Sequence, residues 1–118
     1  MLGGCEIGDA KVTRAYNLPA KFIIHTVGPV WERGSYGEAD LLASCYRRSL
    51  EIALERRLTS VAFPSISTGI FGFPIELAAP IAIRTVRDFI GASGMPGDVT
   101  FCCFSAQDLD YYQRLLPT

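Results

Sequence analysis

Ser60-Val61-Ala62-Phe63-Pro64 runs into Ser65-Ile66-Ser67-Thr68-Gly69-Ile70-Phe71-Gly72-Phe73-Pro74, and this stretch decides the fold. The first five residues read as a short buried strand, the next nine as a loop. Pro74 suits the first turn of a helix, where its missing N–H has no partner to lose. A loop that leaves a strand and opens a helix is where open α/β sheets bind ligands. Gly69 and Gly72 let the backbone turn inward and a ligand come close. Successive N–H groups can then converge on an anion, helped by the positive end of the next helix. Ser67 and Thr68 add hydroxyls. The loop has no lysine, so it is not the GxxxxGK[ST] phosphate loop. The pattern alone fits a plain tight turn as well as it fits an anion cradle. Phe73 can pack back into the core, whereas Phe71 reads as a lid over something lying on the loop, such as a sugar face.

Working outward, Lys11 to Tyr16 alternates polar and apolar residues and reads as an edge strand. Asn17-Leu18-Pro19-Ala20 is a turn. Lys21 to Val27 is a more apolar strand, closed by Gly28-Pro29, and Trp31 to Glu38 reads as a surface loop. From Asp40 to Arg57, apolar pairs recur every four residues opposite a charged face, which predicts a helix with Asp40 as N-cap. The helix opened by Pro74 is expected to run to about Ile90 and stop at Gly91. Val99 to Phe104 is another apolar strand. Ser105 then caps a last helix, with Asp108 three residues on and Leu109, Tyr112, Leu115 and Leu116 facing inward. Strands separated by helices imply a parallel sheet covered by helices with right-handed crossovers.

The chain has 118 residues, 49% hydrophobic and 19% charged, with a formal net charge of -1. These values describe one globular domain, residues 1–118, with a core of its own. The near-zero charge argues against binding nucleic acid or anionic membrane through bulk electrostatics. No apolar run approaches a membrane span, and the N-terminus has no signal-peptide pattern, so a cytoplasmic protein is expected. The four cysteines (Cys5, Cys45, Cys102, Cys103) form no CxxC pair, and there is one histidine. A zinc site is therefore not expected, and the thiols read as reduced and mostly buried. His25 reads as a core or hydrogen-bonded strand residue, Glu6 and Asp9 as solvated carboxylates, and Trp31 as a cap on the core.

Two long stretches, YNLPAKFIIHTVGPVW (Tyr16 to Trp31) and SVAFPSISTGIFGFP (Ser60 to Pro74), together resemble macro domains of the MacroD and bacterial O-acetyl-ADP-ribose deacetylase type. CYRRSLEIALE and AAPIAIRTVRDFI fit the same pattern, and the resemblance runs from about Cys5 to the C-terminus. It implies a three-layer α/β/α fold with a mixed sheet, and a pocket for ADP-ribose or its derivatives, free or protein-linked, with no metal or cofactor. Ser67, Thr68, Gly69, Ile70, Phe71 and Gly72 match the family loop that wraps the diphosphate and the distal ribose. Phe71 matches an aromatic lying against that ribose, and Phe104 the position that stacks on adenine.

The resemblance also implies an N-terminally truncated domain. The family's strand ending in Asn-Ala-Asn and its glycine-rich loop with an Asp have no counterpart in this sequence, so no catalytic residue is carried over. In the family's sheet, that strand lies between those matching Lys21–Val27 and Ser60–Pro64. The expectation is a compact core with two unpaired edges, open to self-association. Three functions follow: a hydrolase acting on ADP-ribosyl groups or O-acetyl-ADP-ribose, a non-catalytic ADP-ribose-binding module, or an inactive truncated fragment.

Overall fold

A computed structural model describes residues 5–14, 22–68, 71–103 and 105–116. Among these, strands β1 (Ala10–Arg14) and β2 (Phe22–Thr26) precede helix α1 (Glu38–Glu55). Strand β3 (Ser60–Pro64), helix α2 (Ile75–Ser93), strand β4 (Asp98–Cys102) and helix α3 (Ala106–Leu115) follow. The described strands form two separate pairs, β1 with β2 antiparallel and β3 with β4 parallel. Gly69, Ile70 and Phe104 lie outside the described residues.

The core is built on α1. Leu42, Cys45, Tyr46, Ser49, Leu50 and Ala53 recur at three- and four-residue steps and are all buried. Leu42, Tyr46 and Leu50 pack with Phe63 of β3, Phe73 of the loop, and Ala78, Ala82 and Val86 of α2. Ala78 and Ala82 are small, which lets α1 and α2 approach closely. The adjacent face of α2 (Ile75, Ala79, Ile83) packs against Tyr112 of α3. No helix among the described residues is long and apolar enough to cross a membrane.

Several local expectations need correction. Asp40 does not cap α1; the N-cap is Gly37, left-handed at φ 72°. Glu38 turns back instead. Its carboxylate is 1% exposed and accepts the N–H groups of Glu32 (2.8 Å), Gly34 (2.9 Å) and Tyr36 (2.6 Å). Burial alone would push this carboxyl up, but the donated amides outweigh it and hold the group below the ordinary carboxylate range. A carboxyl whose folded pKa is lowered stabilises the fold above its unfolded pKa, and that contribution is lost as pH falls through the folded value. Glu38→Gln is therefore expected to melt lower at neutral pH, because an amide NH2 then faces a backbone donor. Its melting point should also fall less than the parent's between about pH 7 and about pH 3. Parallel falls for both proteins in thermal scans at the two pH values would remove Glu38 as the acid-sensitive anchor.

Helix α2 passes through Gly91 and ends at Gly94, which is left-handed at φ 77° and donates its N–H to the carbonyl of Ile90. Ser105 does cap α3, accepting the N–H of Asp108 at 3.1 Å. Of the four residues expected inward on α3, Tyr112 is buried, but Leu109 is 46% and Leu115 is 36% exposed. Leu116, the fourth, is half-buried against the cluster that joins α2 and α3. Among the thiols only Cys45 is buried, Cys102 is exposed, and all four are free. Asp9 is not simply solvated, because it accepts the N–H of Ala10 and pairs with Arg48 at 3.2 Å. Those two interactions, the amide first, hold its pKa down. Trp31 does cap the core, with its ring 4.7 Å from that of Phe73.

Strands β2 and β3 run parallel, with α1 as the crossover. Their carboxyl ends meet where Gly28 contacts Ser67. Their amino ends lie near the end of α1, where the Arg56 guanidinium sits over the Phe22 ring at 5.2 Å. They are not hydrogen-bonded to each other. Ser60, Ala62 and Pro64 of β3 are exposed, as is His25 of β2. The expectation of a buried β3 fails because these alternate residues share one exposed face, and of the two readings of His25 the core one fails while its place in β2, opposite Lys11, stands.

Candidate functional site

The loop between β3 and α2 is held from below by side chains and from the side by backbone. Ser65 donates its hydroxyl to the carbonyl of Cys102 at 3.4 Å, tying the loop's start to the end of β4. Thr68 donates to the carbonyl of Ser65 at 3.3 Å. The N–H of Phe73 donates to the carbonyl of Ser67 at 2.8 Å, and that of Trp31 to the carbonyl of Phe71 at 2.8 Å. Phe73 is buried at 2% exposure, while Phe71 stands 40% exposed, so the two phenylalanines divide as their positions predict.

Beneath the loop lies a pair of tyrosines that sequence reading missed. The Tyr46 side chain is buried, with the N–H of Ile66 and the hydroxyl of Tyr112 as neighbours of its own hydroxyl. Burial, then the neighbouring Tyr112, pushes Tyr46 well above its ordinary pKa. Burial pushes Tyr112 up to about 12. Both phenols are therefore neutral donors and acceptors at any physiological pH. They fix the height of the loop above α1 and α3.

Ser67 stands apart. Its backbone is left-handed at φ 65°, which costs a side-chain-bearing residue about 1–2 kcal/mol. Its hydroxyl is buried and has no hydrogen-bond partner among the described residues. A hydroxyl left in that state costs roughly 1–3 kcal/mol. Strain and an unpartnered donor at one loop residue are a mark of a ligand site. Ser67→Gly is expected to raise stability by about 1–2 kcal/mol in denaturant titration. A destabilised Ser67→Gly variant would contradict the strained-serine account.

Gly28 supplies the room that Ser67 occupies. A Cβ on Gly28 would sit 2.1 Å from the Ser67 Oγ and 2.6 Å from the Ile66 Cγ2. The Gly28-Pro29 pair reads in the sequence only as the end of β2, so its contact with the loop was not legible. The loop opens onto a groove of about 670 Å3 between β2 and β3 whose lining includes Ser67 and Phe71. That lining contains no Asp, Glu, Lys or Arg among the described residues. Among the described residues, no group of three or more His, Cys, Asp or Glu side chains is placed to hold a metal.

A strained loop at the carboxyl end of a parallel strand, leading into a helix, places the chain among α/β domains. The chain belongs to the macro domain family, whose family model, described as "Macro domain", matches residues 1–82. A macro domain-containing protein of Chlorobaculum tepidum is 59% identical over 115 residues, covering 98% of this chain and 67% of that protein. The O-acetyl-ADP-ribose deacetylase of Citrobacter koseri is 47% identical over 97% of this chain and 64% of its own length. Among solved structures, the Trypanosoma brucei macrodomain in complex with ADP-ribose superposes at TM-score 0.87 with 37% identity. That match covers 95% of this chain and 47% of the Trypanosoma chain. The Oceanobacillus iheyensis macrodomain with ADP gives TM-score 0.87 at 42% identity, covering 92% of this chain and 57% of its own. The fold is thus the three-layer α/β/α macrodomain class, and the chain spans about two thirds or less of the relatives it matches.

Proposed function

We propose that this chain is an ADP-ribose-binding macro domain of the ADP-ribosyl and O-acetyl-ADP-ribose hydrolase type. Ser67, Thr68, Gly69, Ile70, Phe71 and Gly72 would wrap the diphosphate and distal ribose. Phe71 would lie against that sugar and Phe104 against the adenine. The observation that carries the reading is Ser67, strained and with its buried hydroxyl unpartnered, at the mouth of the loop. A diphosphate oxygen there would accept the hydroxyl, and its charge would sit near the amino end of α2. The loop would contribute to hydrolysis by positioning the reacting ribose.

A second reading, a binding module without catalysis, is favoured by the groove's lining, where His25 is the one titratable side chain among the described residues. Hydrolysis by a positioned water gains from a carboxylate nearby, and the lining offers none. Incubation with O-acetyl-ADP-ribose separates the two. Acetate released in proportion to chain concentration means the hydrolase. Saturable binding without release means the module.

A further inference from the structure

The turn before α1 has no packing of its own, and a buried charge holds it. Glu32 to Gly37 are all exposed. Arg33 is nonetheless left-handed at φ 60°, a conformation that a residue with a side chain keeps only where its surroundings dictate it. The surroundings here are Glu38. Its carboxylate is buried and accepts the N–H groups of Glu32, Gly34 and Tyr36 at 2.8, 2.9 and 2.6 Å. A carboxylate out of water is stable only where donors converge on it. The converging amides are fixed by it in return, so one side chain sets the shape of the turn.

What the turn holds is Trp31. Gly34 lies so close to the Trp31 ring that a Cβ there would meet its Cη2 at 3.3 Å. The same ring packs on Phe73, with 4.7 Å between centroids. Trp31 then reaches the ligand loop through its backbone, donating its N–H to the carbonyl of Phe71 at 2.8 Å. Among the described residues, this is the one hydrogen bond that ties Phe71 to anything outside its loop. The part of the loop around Ser67 is anchored separately. Ser65 is bonded to Cys102, Thr68 to Ser65, and the Phe73 N–H to Ser67.

We propose that Glu38 is the positioning residue of the loop's exposed aromatic. Acting through the turn and the Trp31 N–H, its carboxylate sets where Phe71 stands over the loop. Glu38 does not line the groove and acts at one remove. One consequence rests on the ADP-ribose reading, in which Phe71 covers the distal ribose. Glu38 then governs affinity for that sugar and not for the diphosphate, because Ser67 and Thr68 have anchors of their own. A role in stability alone would show no such split.

The test compares the parent chain with Glu38→Gln, below the melting temperature of both. The readouts are amide hydrogen exchange and calorimetric titration with ADP-ribose and with ADP, which keeps the diphosphate and lacks the distal ribose. In Glu38→Gln the Trp31 amide should exchange at least about 10-fold faster, with the amides of α2 unchanged. Affinity for ADP-ribose should fall about 10-fold, and affinity for ADP by less than about 2-fold. Gly34→Ala strains the same turn at φ 78° and crowds Trp31. It should give the same pattern, and it decides the matter where Glu38→Gln does not fold. Asp40→Asn removes the other acidic group in the first turn of α1 and should leave every readout as it is. Any of four results overturns the proposal: an unchanged Trp31 amide in the folded variant, full ADP-ribose affinity, equal losses for ADP-ribose and ADP, or the same changes in Asp40→Asn. A parent chain that binds neither nucleotide would sink the ADP-ribose reading instead, and the Trp31 amide would then decide on Glu38 by itself.

Discussion

Gly28→Val is expected to weaken ADP-ribose binding by at least about 10-fold, or roughly 1.4 kcal/mol, while the chain still folds. The reason is local. Even the first carbon of the new side chain would lie 2.1 Å from the Ser67 Oγ and 2.6 Å from the Ile66 Cγ2, so the loop must move away from β2. Overpacking of this kind costs about 1–3 kcal/mol in stability as well. Gly28 has no positive φ, so backbone strain is not the cause and the effect is purely one of space. A coupled variant checks that. In the Ser67→Gly background the 2.1 Å clash has no partner, so Gly28→Ala should cost less there than in the parent. Equal costs in both backgrounds, measured by denaturant titration, would show that Gly28 does not act through Ser67.

The largest stability effect is expected at Tyr46. The ring is 1% exposed, lies 4.9 Å from Phe63 and 6.4 Å from Phe101, and joins α1, β3 and β4 in one contact. Removing a buried aromatic of this size costs about 3–5 kcal/mol, a large share of the 5–15 kcal/mol of a typical domain. Tyr46→Ala should therefore be mostly unfolded at physiological temperature by circular dichroism. Tyr46→Phe separates packing from positioning. It keeps the ring but removes the buried hydroxyl that neighbours the N–H of Ile66 and the Tyr112 hydroxyl, and leaving those groups unpaired should cost about 1–3 kcal/mol. Ligand affinity should fall with it, because that N–H sets the height of the loop. Unchanged stability and affinity in Tyr46→Phe would contradict the role given to the hydroxyl.

What could be read from the sequence was local. The unit Ser60–Pro64, loop, helix was legible because glycine and proline punctuation and the apolar run fall within fifteen residues. The division of Phe73 inward from Phe71 outward followed from loop position alone, and the Ser105 cap from its spacing to Asp108. Failures came where something outside an element's own pattern decides. Asp40 is a good N-cap in isolation, but Gly37 and the fold-back of Glu38 onto the 32–36 turn set the start of α1 instead. Gly91 looks like a stop, yet the helix runs on to Ser93 and ends at left-handed Gly94. His25 sits in an apolar strand that reads as central, but its side chain is exposed. The site residues divide in the same way. Ser67, Thr68 and Phe71 were visible as loop chemistry, while Gly28 and Tyr46, distant in sequence, had no signal near the loop.

The central claim is that this loop, as this chain folds it, recognises ADP-ribose. Calorimetric titration of the purified chain with ADP-ribose, with AMP as control, tests it most directly. The account predicts saturable binding near one ligand per chain, at least about 10-fold tighter than for AMP, because in the proposed pose the distal ribose and second phosphate would meet Ser67 to Gly72. A chain shown by circular dichroism to be folded that yields no binding heat, or that binds AMP equally well, would contradict it.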